Sequence, residues 1–209
     1  MRYQVSPRWY RLLSFAARQN GAFTLEQAKI AGYNAQRIQD YITEGRMVRL
    51  RRGIYGFTYL LEEEKLDFVL IALWAHKRCI FSRRSAAFLH GMLRERPEEY
   101  DIIVPHGLVF DERKVGREGS VRLWHGQIPM RERFLYKNVF ATAPLRTLED
   151  LAEDVTEGRI PPETLREAAQ RALNKKLVGP REIRVVRIAL RPYGGVHPPD
   201  ERSPETQNA

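Results

Sequence analysis

"GRMVRLRRGIYG", residues 45–56, sets four arginines, Arg46, Arg49, Arg51 and Arg52, among apolar residues between two glycines. Met47, Val48 and Leu50 lead into Arg51-Arg52-Gly53, and Ile54, Tyr55 and Phe57 follow. The pattern predicts two short strands about a glycine turn. A hairpin of this size cannot bury four guanidinium groups, which stay in water unless they are paired. The meaning of that charge depends on what precedes it.

Three helical signals precede it. Ser6 can cap a helix with Pro7 in its first position, and Trp9, Leu12, Leu13 and Ala16 recur at helical spacing until Asn20-Gly21. Thr24 and Gln27 form a capping box for a short helix, Leu25 to Ala31, that Gly32 ends. Asn34 can cap a third, in which Ala35, Ile38, Tyr41 and Ile42 make one apolar stripe before Gly45. Two short helices about a glycine turn, then a hairpin, give the order of a winged helix-turn-helix. In that architecture the hairpin lies beside the sugar-phosphate backbone, so Arg46, Arg49, Arg51 and Arg52 are expected to meet phosphates and supply affinity with little sequence information.

With Ile38 and Ile42 turned inward, Gln36, Asp40 and Thr43 point away and Arg37 and Gln39 flank them. Together with Asn34 these are the candidate DNA-contacting residues of the third helix. Arginine pairs bidentately with guanine and glutamine with adenine in the major groove, whereas Asp40 is suited to orient Arg37 or to read cytosine.

Composition limits the alternatives. The 209 residues are 43% hydrophobic, enough for a core and for one or two domains. No run approaches the roughly 18 apolar residues that span a bilayer, and MRYQVSPRWYRLLSF lacks the apolar block of a secretory signal. A cytoplasmic protein without a membrane partner is expected. The single cysteine, Cys79, excludes an intrachain disulfide. The net charge of +9 is uneven. Residues 1–60 hold ten basic and three acidic residues, +7, while the other 25 and 23 leave +2. A basic unit joined to a nearly neutral one reads as a polyanion binder attached to a second function.

Downstream, Leu66 to Ala75 is apolar almost all round and is expected to be a buried helix. Ser82 is placed to cap a helix from Arg83 to His90, and Tyr100 to Val104, Val121 to Trp124 and Val139 to Ala141 read as strands. Helices are expected to open at Pro144, Pro162 and Pro180. The expected class is therefore α+β: a winged helix-turn-helix in residues 1–60, a mixed α/β C-terminal domain in 61–190, and a disordered tail in 191–209, where little is apolar.

Three stretches, "GRMVRLRRGIYGF", "SRRSAAFLHGM" (Ser82 to Met92) and "TAPLRTLEDL" (Thr142 to Leu151), resemble in their order and spacing the AbiEi-type antitoxins of type IV toxin-antitoxin systems. The resemblance spans roughly residues 5–175. It implies an N-terminal winged helix that binds inverted repeats in its own promoter and represses its operon, with self-association on DNA. It also implies a C-terminal domain that counters a nucleotidyltransferase toxin. By position it assigns DNA contact to Asn34 through Thr43 and the hairpin arginines, and architecture to Ser85-Ala86-Ala87 and Arg146-Thr147-Leu148. Arg146 with Glu149 or Asp150 has the spacing of an intradomain ion pair.

Catalytic signals are thin. His76, His90, His106, His125 and His197 never fall at metal-ligand spacing, and His76 and His90 read as helix residues. There is no glycine-rich phosphate loop and no Gly-x-Ser-x-Gly elbow. Asp101, read as solvated at a strand start, has no acid-x-Lys after it to complete a magnesium site. No catalytic residue, cofactor or metal is expected. A protein-interaction module, a winged-helix regulator without a toxin, a ligand-responsive regulator and a metal-dependent nuclease are the other classes open to this sequence.

Overall fold

The computed structural model describes residues 6–107 and 120–195. Its N-terminal helices begin where their caps predict. In α1 (Pro7–Ala17) the Ser6 hydroxyl accepts the Trp9 amide. In α2 (Leu25–Ile30) both halves of the Thr24–Gln27 capping box are formed. In α3 (Ala35–Thr43) Asn34 Oδ1 accepts the Arg37 amide at 2.8 Å. Between α1 and α2 lies β1 (Ala22–Thr24), a strand not foreseen from sequence. It pairs antiparallel with β3 (Ile54–Phe57), which pairs antiparallel with β2 (Met47–Arg51), in the order β1-β3-β2. The order of elements fits a winged helix-turn-helix. One apolar cluster, with Leu12, Ala16, Phe23, Ile38, Met47 and Phe57 at its centre, joins the three helices to the sheet.

The described residues form two compact units. The first holds 6–79 together with 107 and 135–140, the second 80–106, 120–134 and 141–195. The expected division at residue 60 therefore falls inside the first unit. The cause is α4 (Leu66–Trp74), which packs on β1 and β3 and buries Phe68, Val69, Leu70, Ile71 and Leu73. Just before β1, Gly21 has a φ of +85°, and a Cβ there would lie 2.5 Å from the Leu60 carbonyl oxygen in the turn after β3.

A second sheet, of five strands, has the order β6-β5-β4-β8-β7. Its strands are β4 (Ile80–Phe81), β5 (Glu99–Val104), β6 (Ser120–His125), β7 (Arg133–Tyr136) and β8 (Val139–Thr142). β4 runs antiparallel to β5, and β5 parallel to β6. The three expected strands are β5, β6 and β8. β4 is too short to show alternation, and β7 buries neither face fully. The helices are α5 (Arg83–Leu89), α6 (Pro144–Thr156), α7 (Pro162–Asn174) and α8 (Arg184–Leu190). Leu148, Leu151, Leu165, Ala169, Val186 and Leu190 build their common core.

Four local expectations are corrected. Ser82 stands at the N-cap of α5, but its hydroxyl makes no capping bond and is buried without a partner. The last helix starts at Arg184, four residues beyond Pro180. The expected tail from 191 begins instead with a 3-10 turn, Arg191–Tyr193, held where Arg166 Nε donates to the Gly195 carbonyl; 196–209 lie outside the described residues. His76 lies past the end of α4 with φ +49°, not within a helix.

Candidate nucleic-acid interface

α3 presents its outer face as the stripe predicts. Ile38 and Tyr41 are buried, while Asn34, Gln36, Arg37, Gln39 and Thr43 are exposed and Asp40 is half-buried. Ala35, placed on the apolar stripe by sequence, is exposed. The side chains on this face are organised by one another. Gln36 donates to Asp40 Oδ1 at 3.3 Å, and Arg37 lies 3.5 Å from Asp40 Oδ2 and 4.0 Å from Glu44. The Arg37 guanidinium rests 4.4 Å above the Tyr41 ring, and its hydrogen bond to Tyr41, then the Asp40 and Glu44 carboxylates, raise its pKa. The Thr43 hydroxyl donates back to the Gln39 carbonyl. Asp40 thus orients Arg37, and Asn34 has one acceptor committed to its cap.

The arginines of the opening stretch divide into two groups. Arg46 is held against the helices: its guanidinium lies 4.5 Å over Trp9 and 4.8 Å over Tyr41, and Glu44 is 3.4 Å away. Arg49, Arg51 and Arg52 belong to the hairpin. Arg49 stands across the ladder from Tyr55, the register slips between Arg49 and Arg51, and Arg52 is exposed in the turn before Gly53, whose φ is +75°. The Gly53 carbonyl accepts the Leu25 amide at 2.9 Å, which ties the arginine turn to the first residue of α2. Trp9 and Tyr41, the aromatic rests of these cations, escaped the sequence reading because their spacing marked them only as core.

The second unit turns a few of its charges inward. Arg83, almost wholly buried, pairs with Asp154 and, at 2.8 Å, with Glu153, and lies 3.7 Å from the Trp124 ring centroid. Arg146 pairs with Asp150 at 2.8 Å, one of its two expected partners, and with Glu132 at 3.2 Å. Asp101 is not solvated: it is buried within β5 and accepts the Trp124 indole N–H at 3.0 Å. Burial raises its pKa, against that hydrogen bond and the nearby arginines. Among the described residues no three His, Cys, Asp or Glu side chains are grouped to hold a metal, and no helix is long and apolar enough to cross a membrane.

The exposed helix face and the arginine turn therefore sit on one small unit whose order of elements fits a winged helix-turn-helix. Residues 10–58 match the family described as transcriptional regulator, AbiEi antitoxin. Over these residues the match bears out the resemblance seen in the sequence; the stretches Ser82 to Met92 and Thr142 to Leu151 lie outside it. The matched segment runs from within α1 through β3, so it contains α2, α3, Arg46 and the three hairpin arginines. The chain is also similar to the solved RV2827C protein of Mycobacterium tuberculosis, at 17% identity and a TM-score of 0.45, over 90% of this chain and 82% of that one. Among curated proteins nothing matches.

Proposed function

We propose that the chain is a DNA-binding transcriptional repressor that represses its own operon and serves as the antitoxin of a type IV toxin-antitoxin system. The observation that carries this reading is the AbiEi-type segment itself, which pairs a polar α3 face with an arginine hairpin. The α3 side chains Gln36, Arg37, Gln39, Asp40 and Thr43, with Asn34 at its start, enter the major groove. Arg49, Arg51 and Arg52 follow the phosphates, and Arg46 braces α3 against α1 at the groove edge. The second unit meets the partner, a nucleotidyltransferase toxin, and the promoter site is an inverted repeat on which copies of the chain associate.

The test is fluorescence anisotropy with DNA from upstream of the chain's own gene. Changing Arg49, Arg51 and Arg52 together to alanine is expected to weaken binding to every duplex and to flatten the salt dependence by up to about three in slope. Gln36→Ala or Arg37→Ala is expected to change sequence preference, at about 1–3 kcal/mol for a lost bidentate base contact. Wild-type binding by the triple variant sinks the docking mode. Co-expression with the neighbouring gene product tests the antitoxin half, and rescue of growth is the expected result.

A further inference from the structure

A pocket of about 570 Å³ opens in the first unit between the start of α1 and the turn into α3. That size lies within the range of about 300–1,000 Å³ typical of small-ligand sites. Its lining is one-sided in charge. Arg8 comes from α1, Tyr33 from the turn, and Arg37 and Tyr41 from α3, and no carboxylate is among the lining residues.

The two arginines differ in what holds them. Arg37 already has Asp40 and Glu44 near its guanidinium, whereas Arg8 makes no ion pair among the described residues. Gly32 makes the room for Arg8. A Cβ there would lie 3.2 Å from Arg8 Cδ and 3.3 Å from Nε, so the bare backbone lets the arginine stem lie along the turn. At the two helix starts the Trp9 and Arg37 amides are committed to Ser6 and Asn34. The donors are the two guanidinium forks; the Tyr33 hydroxyl is already hydrogen-bonded with Ser6 and Tyr41. Burial raises the Tyr33 pKa above its ordinary value, so the phenol keeps its proton.

Guanidinium forks match phosphate oxygens bidentately; Arg8 brings a guanidinium with no carboxylate partner among the described residues, and Arg37 one whose carboxylates, Asp40 and Glu44, lie outside the pocket lining. We propose that this pocket binds a phosphate group, gripped by Arg8 and Arg37. The phosphate belongs either to a free phosphorylated molecule or to the backbone of the bound duplex; the chemistry is the same. The inference rests on the DNA-binding reading only for its consequence. Arg37 serves both the pocket and the outer face of α3, so a free phosphate ester in the pocket competes with DNA.

The experiment uses the full chain, with inorganic phosphate and pyrophosphate as probes in titration calorimetry and upstream duplex in anisotropy. The variants are Arg8→Ala, Arg8→Lys and, as a charge-matched control in the second unit, Arg184→Ala. Arg8 is exposed, and unchanged circular dichroism checks that its removal leaves the fold intact. The free-ligand source predicts that pyrophosphate binds wild type and Arg184→Ala alike, at least tenfold more weakly to Arg8→Ala with partial recovery in Arg8→Lys, and that it displaces duplex. The backbone source predicts no pyrophosphate heat, with Arg8→Ala weaker on all duplexes by about one unit of salt slope. The proposal is overturned if Arg8→Ala handles both probes as wild type does, or if Arg184→Ala loses as much as Arg8→Ala. Failure of the hairpin variants to lose DNA, by contrast, sinks the docking reading and leaves the pyrophosphate result to decide the pocket.

Discussion

Arg83 is the residue whose surroundings differ most from its sequence context. It opens α5 with φ +51°, a backbone state that non-glycine residues adopt at a cost, and it is buried. Burial opposes its charge, but Asp154, Glu153 and Asp150 more than offset that and raise its pKa. Its NH1 also donates to the Asp150 carbonyl at 3.0 Å. Removing one partner of such a cluster leaves a charge without its counterion in a dry site, which costs about 3–5 kcal/mol. Because Arg159 still reaches Asp154 at 2.6 Å, Arg83→Met is expected near the lower end, about 3 kcal/mol, read as a fall in urea midpoint. Within "SRRSAAFLHGM" nothing distinguishes Arg83 from Arg84, since only the fold shows which one turns inward. The Arg146–Asp150 pair was legible because its spacing is a property of the helix alone.

His90 carries the pH dependence at this scale. Burial, its strongest influence, lowers its pKa below 6.5, although its Nε2 stands 2.7 Å from the Thr142 carbonyl and so carries the proton. The unfolded chain takes up a proton near pH 6.5 that the folded chain refuses, so this contribution is complete above that pH and is lost as the pH falls through it. Asp101 and Asp150, raised by burial from 3.8, act in the opposite sense at more acid pH. The expected outcome is that the urea midpoint of His90→Asn, compared with wild type, changes less between pH 8 and pH 5.5.

At the scale of elements, α3 combines folding and recognition in the same side chains. Asn34 is both the N-cap and a candidate DNA contact, and two substitutions separate the roles. Asn34→Ala is expected to lower stability by about 1 kcal/mol, while Asn34→Ser keeps the cap and the stability. If Asn34 reads DNA as well, both variants lose duplex affinity; if it only caps, Asn34→Ser binds as wild type. The helices and the hairpin were legible because caps, glycines and periodicity are local signals. β1 was not, because three residues cannot alternate visibly and its existence depends on β3, some thirty residues away. Arg46 was misplaced for the same reason. Counted along the chain it belongs to the hairpin, but in space it lies on Trp9 and Tyr41.

At the scale of the whole molecule, the basic charge and the fold divide the chain at different points. Charge changes near residue 60, but the compact unit reaches Cys79, because α4 covers β1 and β3. A fragment ending at 60 leaves the sheet face under α4 bare, and exposed apolar surface of that extent works against a stable fold. Residues 1–79 are expected to melt cooperatively by circular dichroism and to retain duplex binding, and residues 1–60 to do neither. Equal stability of the two fragments contradicts the role assigned to α4.

What the chain states locally, its own sequence was enough to read. The caps of the first three helices, the arginine hairpin, the excess of positive charge in the first sixty residues and the outward face of α3 all follow from neighbours within about four positions or from simple counting. The tertiary structure alone decided which charges are available. It laid Arg46 on two aromatic rings, buried Arg83 and Asp101 against Trp124, set Arg8 and Arg37 on one pocket and drew α4 into the first unit. The physical reason is that burial and pairing depend on contacts between residues distant in sequence, and a one-dimensional pattern carries no record of those distances.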